Sequence, residues 1–378
     1  MNAPNISYKI FLFFFYILAF ALPLSEAIKQ VAIFGIIISG ISYIYITKKS
    51  IKKDLSFYAG IIYIFSSIIS IFFSFDTLKA FRGMLDVFKI VTVFLIIRNI
   101  YLETKIITNF ILIIFLSFII ALIWGEYNLV LGTKDYLELK SIGHVNHSAI
   151  YIGIIFIISY SLFFFYKDKN YFLKYLSLIV LISACYGLIV SGSRAAIFAT
   201  FFILLIISIF EKLYLNRKQL LMFVLIILVS VITLITHKYS LHKIQLGVFY
   251  DSGRIDLWVA SIKAYLDNNI FFGIGAKNSY FINPKIYIPD IQFTKITHSH
   301  NTFITILLEK GLFGLVSYIL FILGIFLNII HNTREKFLKI IAIGVFTLNL
   351  IISIVNTTFH NENGLLMAIL WALAIQKK

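Results

Sequence analysis

Twelve runs of mostly apolar residues recur along this chain, each bounded by charged or turn-forming residues. They lie near 10–24, 31–46, 57–73, 84–97, 107–124, 148–166, 174–191, 195–210, 220–236, 302–329, 338–355 and 363–375. A hydrocarbon layer of ~30 Å takes ~20 helical residues to cross. Inside it every backbone polar group must be satisfied within the segment. The pattern therefore predicts an all-α, polytopic membrane helical bundle of about 12 transmembrane helices, with residues 1–378 as a single integral membrane domain. The run at 302–329 is long enough to tilt or to begin outside the bilayer.

One stretch breaks the pattern. Residues 237–300 are too long for a passive connector between neighbouring helices. Within them Ile255, Trp258, Val259, Ile262, Tyr265 and Leu266 recur at helical spacing, while Arg254, Asp256, Lys263 and Asp267 fall on other faces. This predicts an amphipathic helix lying in the membrane interface, with Asn268-Asn269 near its end. Gly273-Ile274-Gly275 follows as a turn. It is no dinucleotide fingerprint, because Asn278 stands where the third glycine belongs and no clear βαβ unit surrounds it. Pro284 and Pro289 keep the next stretch irregular.

Composition agrees: 60% of the 378 residues are hydrophobic, and mean hydropathy is +0.95. The net charge of +16 would suggest a nucleic-acid partner in a soluble protein, but no basic, aromatic-interleaved module exists here. The lysines and arginines instead orient the chain against membrane lipids. Of the 33, 18 lie in short connections beside the spans: Lys9, Lys48, Lys49, Lys52, Lys53, Arg98, Lys105, Lys167, Lys169, Lys174, Lys212, Arg217, Lys218, Arg334, Lys336, Lys339, Lys377 and Lys378. That side is read as cytoplasmic, with both termini inside, and residues 237–300 become a large periplasmic loop. Met1 to Glu26 has a signal-peptide look, but further spans follow at once, so it reads as an uncleaved first helix. The single cysteine, Cys185, permits neither an intramolecular disulfide nor a multi-cysteine metal site.

The spans carry few charges, with Asp86 and Lys89 as the main exception. Ionisable residues concentrate instead at the outer helix ends, which suits chemistry on a headgroup at the membrane surface. Arg194, in Ser-Gly-Ser-Arg-Ala-Ala, reads as an interfacial anchor or as a phosphate clamp. Arg254, in Asp-Ser-Gly-Arg-Ile-Asp, has the same two readings. Two arginines meeting at one point would hold a pyrophosphate without a metal, and no Asp-x-Asp pair stands in an outer loop to bind Mg²⁺. His298 and His300 are either structural polar contacts or a general base, since an imidazole of pKa ~6.5 suits a sugar hydroxyl. A zinc site lacks partner ligands in the sequence. His144 and His147 read as packing or acceptor contacts. Arg82 and Lys89 would extend the positive field, and Glu362, with His360, lies in the last outer turn.

The segment His300-Asn301, nine residues, then Gly311-x-x-Gly314 resembles the signature of the O-antigen ligase and polymerase superfamily, bacterial membrane enzymes that handle polyprenyl-linked surface glycans. The turns at Arg194 and Arg254 are similar to that family's two arginine sites, and His298-x-His300 is similar to the ligase form. The resemblance covers roughly residues 190–320 in detail and the remainder in topology. It implies a metal-independent, inverting transfer on the periplasmic face of the bacterial inner membrane, with no cofactor. The donor would be an undecaprenyl-pyrophosphate-linked glycan and the acceptor lipid A-core. Arg194, Arg254 and His300 would be catalytic, and His298, Asn301, Arg82, Lys89 and Glu362 would bind substrate. Gly311 and Gly314 complete the motif and also read as a small-residue packing face. A polymerase acting on another lipid-linked repeat, and a transporter or flippase, remain the alternative readings.

Overall fold

The computed structural model describes residues 3–166, 170–210, 253–333, 335–359 and 361–376. All regular structure among them is helical: α1 Ala3–Ala21, α2 Glu26–Ile46, α3 Leu55–Ile69, α4 Thr77–Asn99, α5 Thr104–Val130, α6 Val145–Phe165, α7 Tyr171–Ser191, α8 Arg194–Phe210, α9 Arg254–Leu266, α10 Thr302–Asn332, α11 Lys336–Ser353 and α12 Asn361–Ala374. Short polar side chains set several starts. Ser25, Asp54, Asp76, Asn170 and Asn301 each accept a backbone N–H from the first turn of the helix that follows. Gly192, at φ 62°, ends α7 in the left-handed conformation.

Eight of the described helices are long and apolar enough to cross a membrane, which makes this a polytopic membrane protein. The expectation of twelve differs at four places. The run at 84–97 belongs to α4, whose first turns carry Lys79, Arg82, Asp86 and Lys89. The run at 195–210 forms α8, 17 residues long. The run at 363–375 forms α12, just 14 residues long. The run at 220–236 lies outside the described residues, as does the beginning of the stretch 237–300.

The helices pair α1 with α2, α3 with α10 and α6 with α7, each antiparallel, and α4 with α12, which run parallel. Two helices, α6 and α12, are apolar all round and almost wholly enclosed, so they form the centre of the bundle. The alternation of direction sorts the polar groups to two ends. At one end Arg98 binds both carboxylate oxygens of Asp54, Lys52 reaches Asn328, and Thr104 reaches Glu335. At the other end lie the starts of α2, α4, α6, α8, α10 and α12.

Helix α9 forms where the periodicity predicts. Ile255, Val259, Ile262 and Leu266 are exposed, while Leu257, Ala260 and Ala264 pack inward on Ile274, Ile282, Ile296 and Leu308. An exposed apolar stripe over a packed inner face is what an interfacial helix docked on a bundle requires.

The long helix α10 is broken inside. Gly311 has φ 67° and ψ −169°, a backbone conformation open to glycine. The freed backbone groups are taken up by residues 270–275. Ile274 N–H donates to Leu308 O (3.1 Å) and Gly275 N–H to Glu309 O (2.9 Å), while Leu312 N–H donates to Ile270 O (2.9 Å) and Phe313 N–H to Phe271 O (3.1 Å). A Cβ at Gly311 would stand 2.3 Å from the backbone of Phe271, and one at Gly273 2.5 Å from that of Glu309. Gly311 is therefore a break in the helix and a docking point for the loop, where the sequence suggested a helix-packing face. The Gly273-x-Gly275 turn is the matching half of that joint. After the break, residues 312–332 are still long enough to cross ~30 Å.

Candidate functional site

The site end is built from segments far apart in the chain. The loop after α11 ties them together. Arg254 Nη1 donates to Val355 O (3.1 Å), Asn301 Nδ2 to Ile354 O (2.9 Å), and Thr302 Oγ1 to Asn356 O (3.1 Å). The start of α6 joins through Asn363, whose Nδ2 donates to His147 O (3.0 Å). The start of α8 joins through Ser193, whose hydroxyl donates to Asn146 Oδ1 (3.2 Å). Arg194 and Arg254 are each the first residue of a helix, α8 and α9. Each guanidinium thus stands at a helix N-terminus, whose dipole attracts an anion.

His298 and His300 lie in the loop before α10. His300 takes a left-handed backbone, φ 48°, which lets Asn301 turn into the capping position. The two rings come within 4.1 Å, centre to centre, and are tilted by 50°. Neither a helical nor a regular extended backbone gives an i, i+2 pair this geometry. It is the left-handed residue that folds the pair together. Burial, then the proximity of His144 and Arg254, pushes His298 down to about 4. His300 falls to about 3, through burial, then His298 and Arg254, with an Asn356 hydrogen bond acting the other way. Both rings are neutral at pH 7, and Nδ1 of His300 is buried with no hydrogen-bond partner among the described residues.

Asn301 uses its whole amide on the fold. Its Oδ1 accepts from Phe303 N–H (2.9 Å) and Ile304 N–H (3.1 Å), while its Nδ2 holds Ile354 O. Glu362 is buried and ion-paired with Lys29, itself buried and also paired with Glu26. Its cation is thus Lys29 of α2, which occupies the carboxylate expected from sequence to bind substrate. Lys89 donates to Asp86 Oδ1 and Gln30 Oε1, both at 3.1 Å. His144 and His147 face each other with ring centres 5.7 Å apart at the start of α6.

Beside these groups opens a cavity of about 550 Å³, lined in part by His147, His298, Arg82, Lys277, Lys310 and Tyr63. His298 reaches it directly. His300 lies against His298, its ring tilted by 50°, and is hydrogen-bonded to Asn356. The sequence reading treated the spans as nearly free of charge apart from Asp86 and Lys89. That is corrected by the Glu309-Lys310 pair inside α10, two ionisable residues within the run at 302–329. Those two adjacent charges were the available signal. Among the described residues no three His, Cys, Asp or Glu side chains cluster as a metal site.

Residues 178–319 match the O-antigen ligase family model, Wzy_C. The matched O-antigen ligase segment holds Arg194, Arg254, His298, His300, Asn301, Gly311 and Gly314, the residues on which the resemblance was drawn. It runs from the second half of α7 into α10, so the O-antigen ligase match covers the helix starts and the loop joint described above. No curated protein matches the chain.

Proposed function

We propose that this protein is an O-antigen ligase that moves a glycan from undecaprenyl pyrophosphate to lipid A-core at the periplasmic face of the bacterial inner membrane. One observation carries the reading. A neutral histidine pair and Arg254 share one loop hub at the end of a membrane bundle, beside a cavity whose lining is rich in cations. Pyrophosphate needs fixed positive charge to leave, and the attacking hydroxyl needs a neutral base.

In this mechanism Arg194 and Arg254 hold the pyrophosphate oxygens. His298, in the cavity, positions the acceptor sugar. As the acceptor oxygen bonds to the anomeric carbon, its proton passes to His300 and the bond from that carbon to the pyrophosphate oxygen breaks. One displacement inverts the anomeric centre. The charge formed on the carrier pyrophosphate stays between the arginines. Release of the pyrophosphate from its glycosyl ester drives the transfer, so no nucleotide is consumed.

The deciding experiment is a chromosomal deletion profiled by lipopolysaccharide gel. Long polymer held on the carrier, with bare lipid A-core, is the expected result. Core capped with a single repeat would mean polymerase, and an unchanged profile would overturn both.

A pH dependence follows from the low histidine values. The base, His300, must be neutral, so kcat/KM, which reports the free enzyme, is expected to hold as pH falls through 6.5 and to decline only toward about 3. Bound pyrophosphate adds negative charge near the rings and raises their pKa. The acid limb of kcat should therefore lie at higher pH than that of kcat/KM. An acid limb of kcat/KM at or above the ordinary histidine range would contradict the assignment. Stability has its own sign. The unfolded chain binds protons at these histidines from pH ~6.5 downward and the folded one does not, so folding weakens as pH falls through that window.

A further inference from the structure

We propose that the Lys310 end of the cavity is an anion subsite for the glycan itself, one that takes a phosphate or carboxylate carried on a sugar. The inference rests on the cavity being a glycan site. It does not depend on ligase rather than polymerase chemistry.

Lys310 is 6% exposed, yet it lines the cavity. Its ammonium donates to the hydroxyl of Tyr63 (2.9 Å) and sits 4.6 Å from the centre of that ring. Both contacts are to a neutral group. The two carboxylates that line the same cavity are engaged elsewhere. Asp86 pairs with Lys89 and Lys277, and Glu309 Oε1 accepts from Ser279 Oγ (3.0 Å). The lining thus sets four cations, Lys79, Arg82, Lys277 and Lys310, against two carboxylates.

A buried ammonium with no ion-paired carboxylate is costly, although Glu309 and Asp86 act on it through their fields. A bound anion recovers that cost. The local structure also makes room for the lysine. Gly314 stands one turn further along α10, and a Cβ there would lie 2.3 Å from Lys310 Cβ. The stem of Lys310 lies across that glycine, which directs its head toward Tyr63 and the cavity.

The residues described as lining the cavity include neither Arg194 nor Arg254, so this anion is not the pyrophosphate those arginines are proposed to hold. The volume of about 550 Å³ is in the usual range for a small-molecule site.

The test is calorimetric titration of the purified full-length protein with glucose, glucose 6-phosphate and glucuronate. Wild type should bind at least one of the two anionic sugars about ten-fold more tightly than glucose, the effect of one charge-assisted contact. The stronger of the two identifies phosphate or carboxylate as the group recognised. Lys310→Gln should remove the preference, and Arg254→Ala should keep it. Where Lys310→Gln fails to fold, Lys277→Gln decides, because that side chain is half-exposed at the rim. No preference in wild type, or preference retained in the lysine variants, overturns the proposal. An intact preference in a protein that transfers no glycan would instead count against the proposed function alone.

Discussion

His300→Ala is expected to slow glycan transfer by roughly 10²- to 10⁴-fold, the range for losing a positioned general base. The reason is local. Nδ1 of His300 has no partner among the described residues, and the ring is buried and neutral, so the side chain is poised to accept a proton. Arg254→Ala should fall as far, because the charge that stabilises the leaving pyrophosphate goes with it. Arg254 also holds Val355 O, so the variant needs a structural control. Arg254→Lys keeps the charge and loses the planar fork, and it should recover part of the rate. The assay is transfer from a polyprenyl-pyrophosphate glycan to lipid A-core with protein purified in detergent, beside a size-exclusion profile. Near-wild-type transfer by a well-folded His300→Ala protein would end the general-base assignment.

Gly311→Ala should cost stability on a scale that few single changes reach. At φ 67° and ψ −169° an L side chain is strained, by about 1–3 kcal/mol. Its Cβ would also meet the carbonyl of Phe271 at 2.3 Å, and forced overpacking adds about 1–3 kcal/mol more. The Phe271 carbonyl cannot step aside cheaply, since it accepts from Phe313 N–H. The loss should appear as a lower melting temperature and a lower yield of monodisperse protein. Gly314→Ala is the comparison. Its Cβ meets a side chain, Lys310, rather than backbone, and its φ is not positive. Equal melting temperatures for wild type and Gly311→Ala would show that the joint between residues 270–275 and α10 is not what sets this glycine.

The apolar runs were enough to place the helices, because membrane helices bury their own backbone groups and each can be read by itself. The motif residues were legible for a similar reason. Arg194 and Arg254 stand beside turn residues at helix starts, and His300-Asn301 precedes a long apolar run. The charged face of α4 was harder to weigh. Lys79, Arg82 and Asp86 interrupt an apolar pattern that the sequence alone reads as a span.

What the chain order could not supply was contact. Arg254 and Val355 are 101 positions apart, and Lys310 and Tyr63 are 247 apart. Such pairs are set by which helix packs on which, here α3 on α10 and the loop after α11 on the starts of α9 and α10. The role of Gly311 was hidden in the same way, because its neighbour is the backbone of residues 270–273, which no local pattern reveals.

The sequence by itself therefore determined an all-helical membrane protein, the approximate position of most of its helices, and the residue types offered for chemistry. These depend on hydropathy and capping within a few residues. Only the tertiary structure decided that the histidine pair is in ring contact and neutral, that Arg254 shares its hub, and that Lys310 lies buried at a cavity. Burial and the field of distant charges are properties of packing, and they exist only once the helices have met.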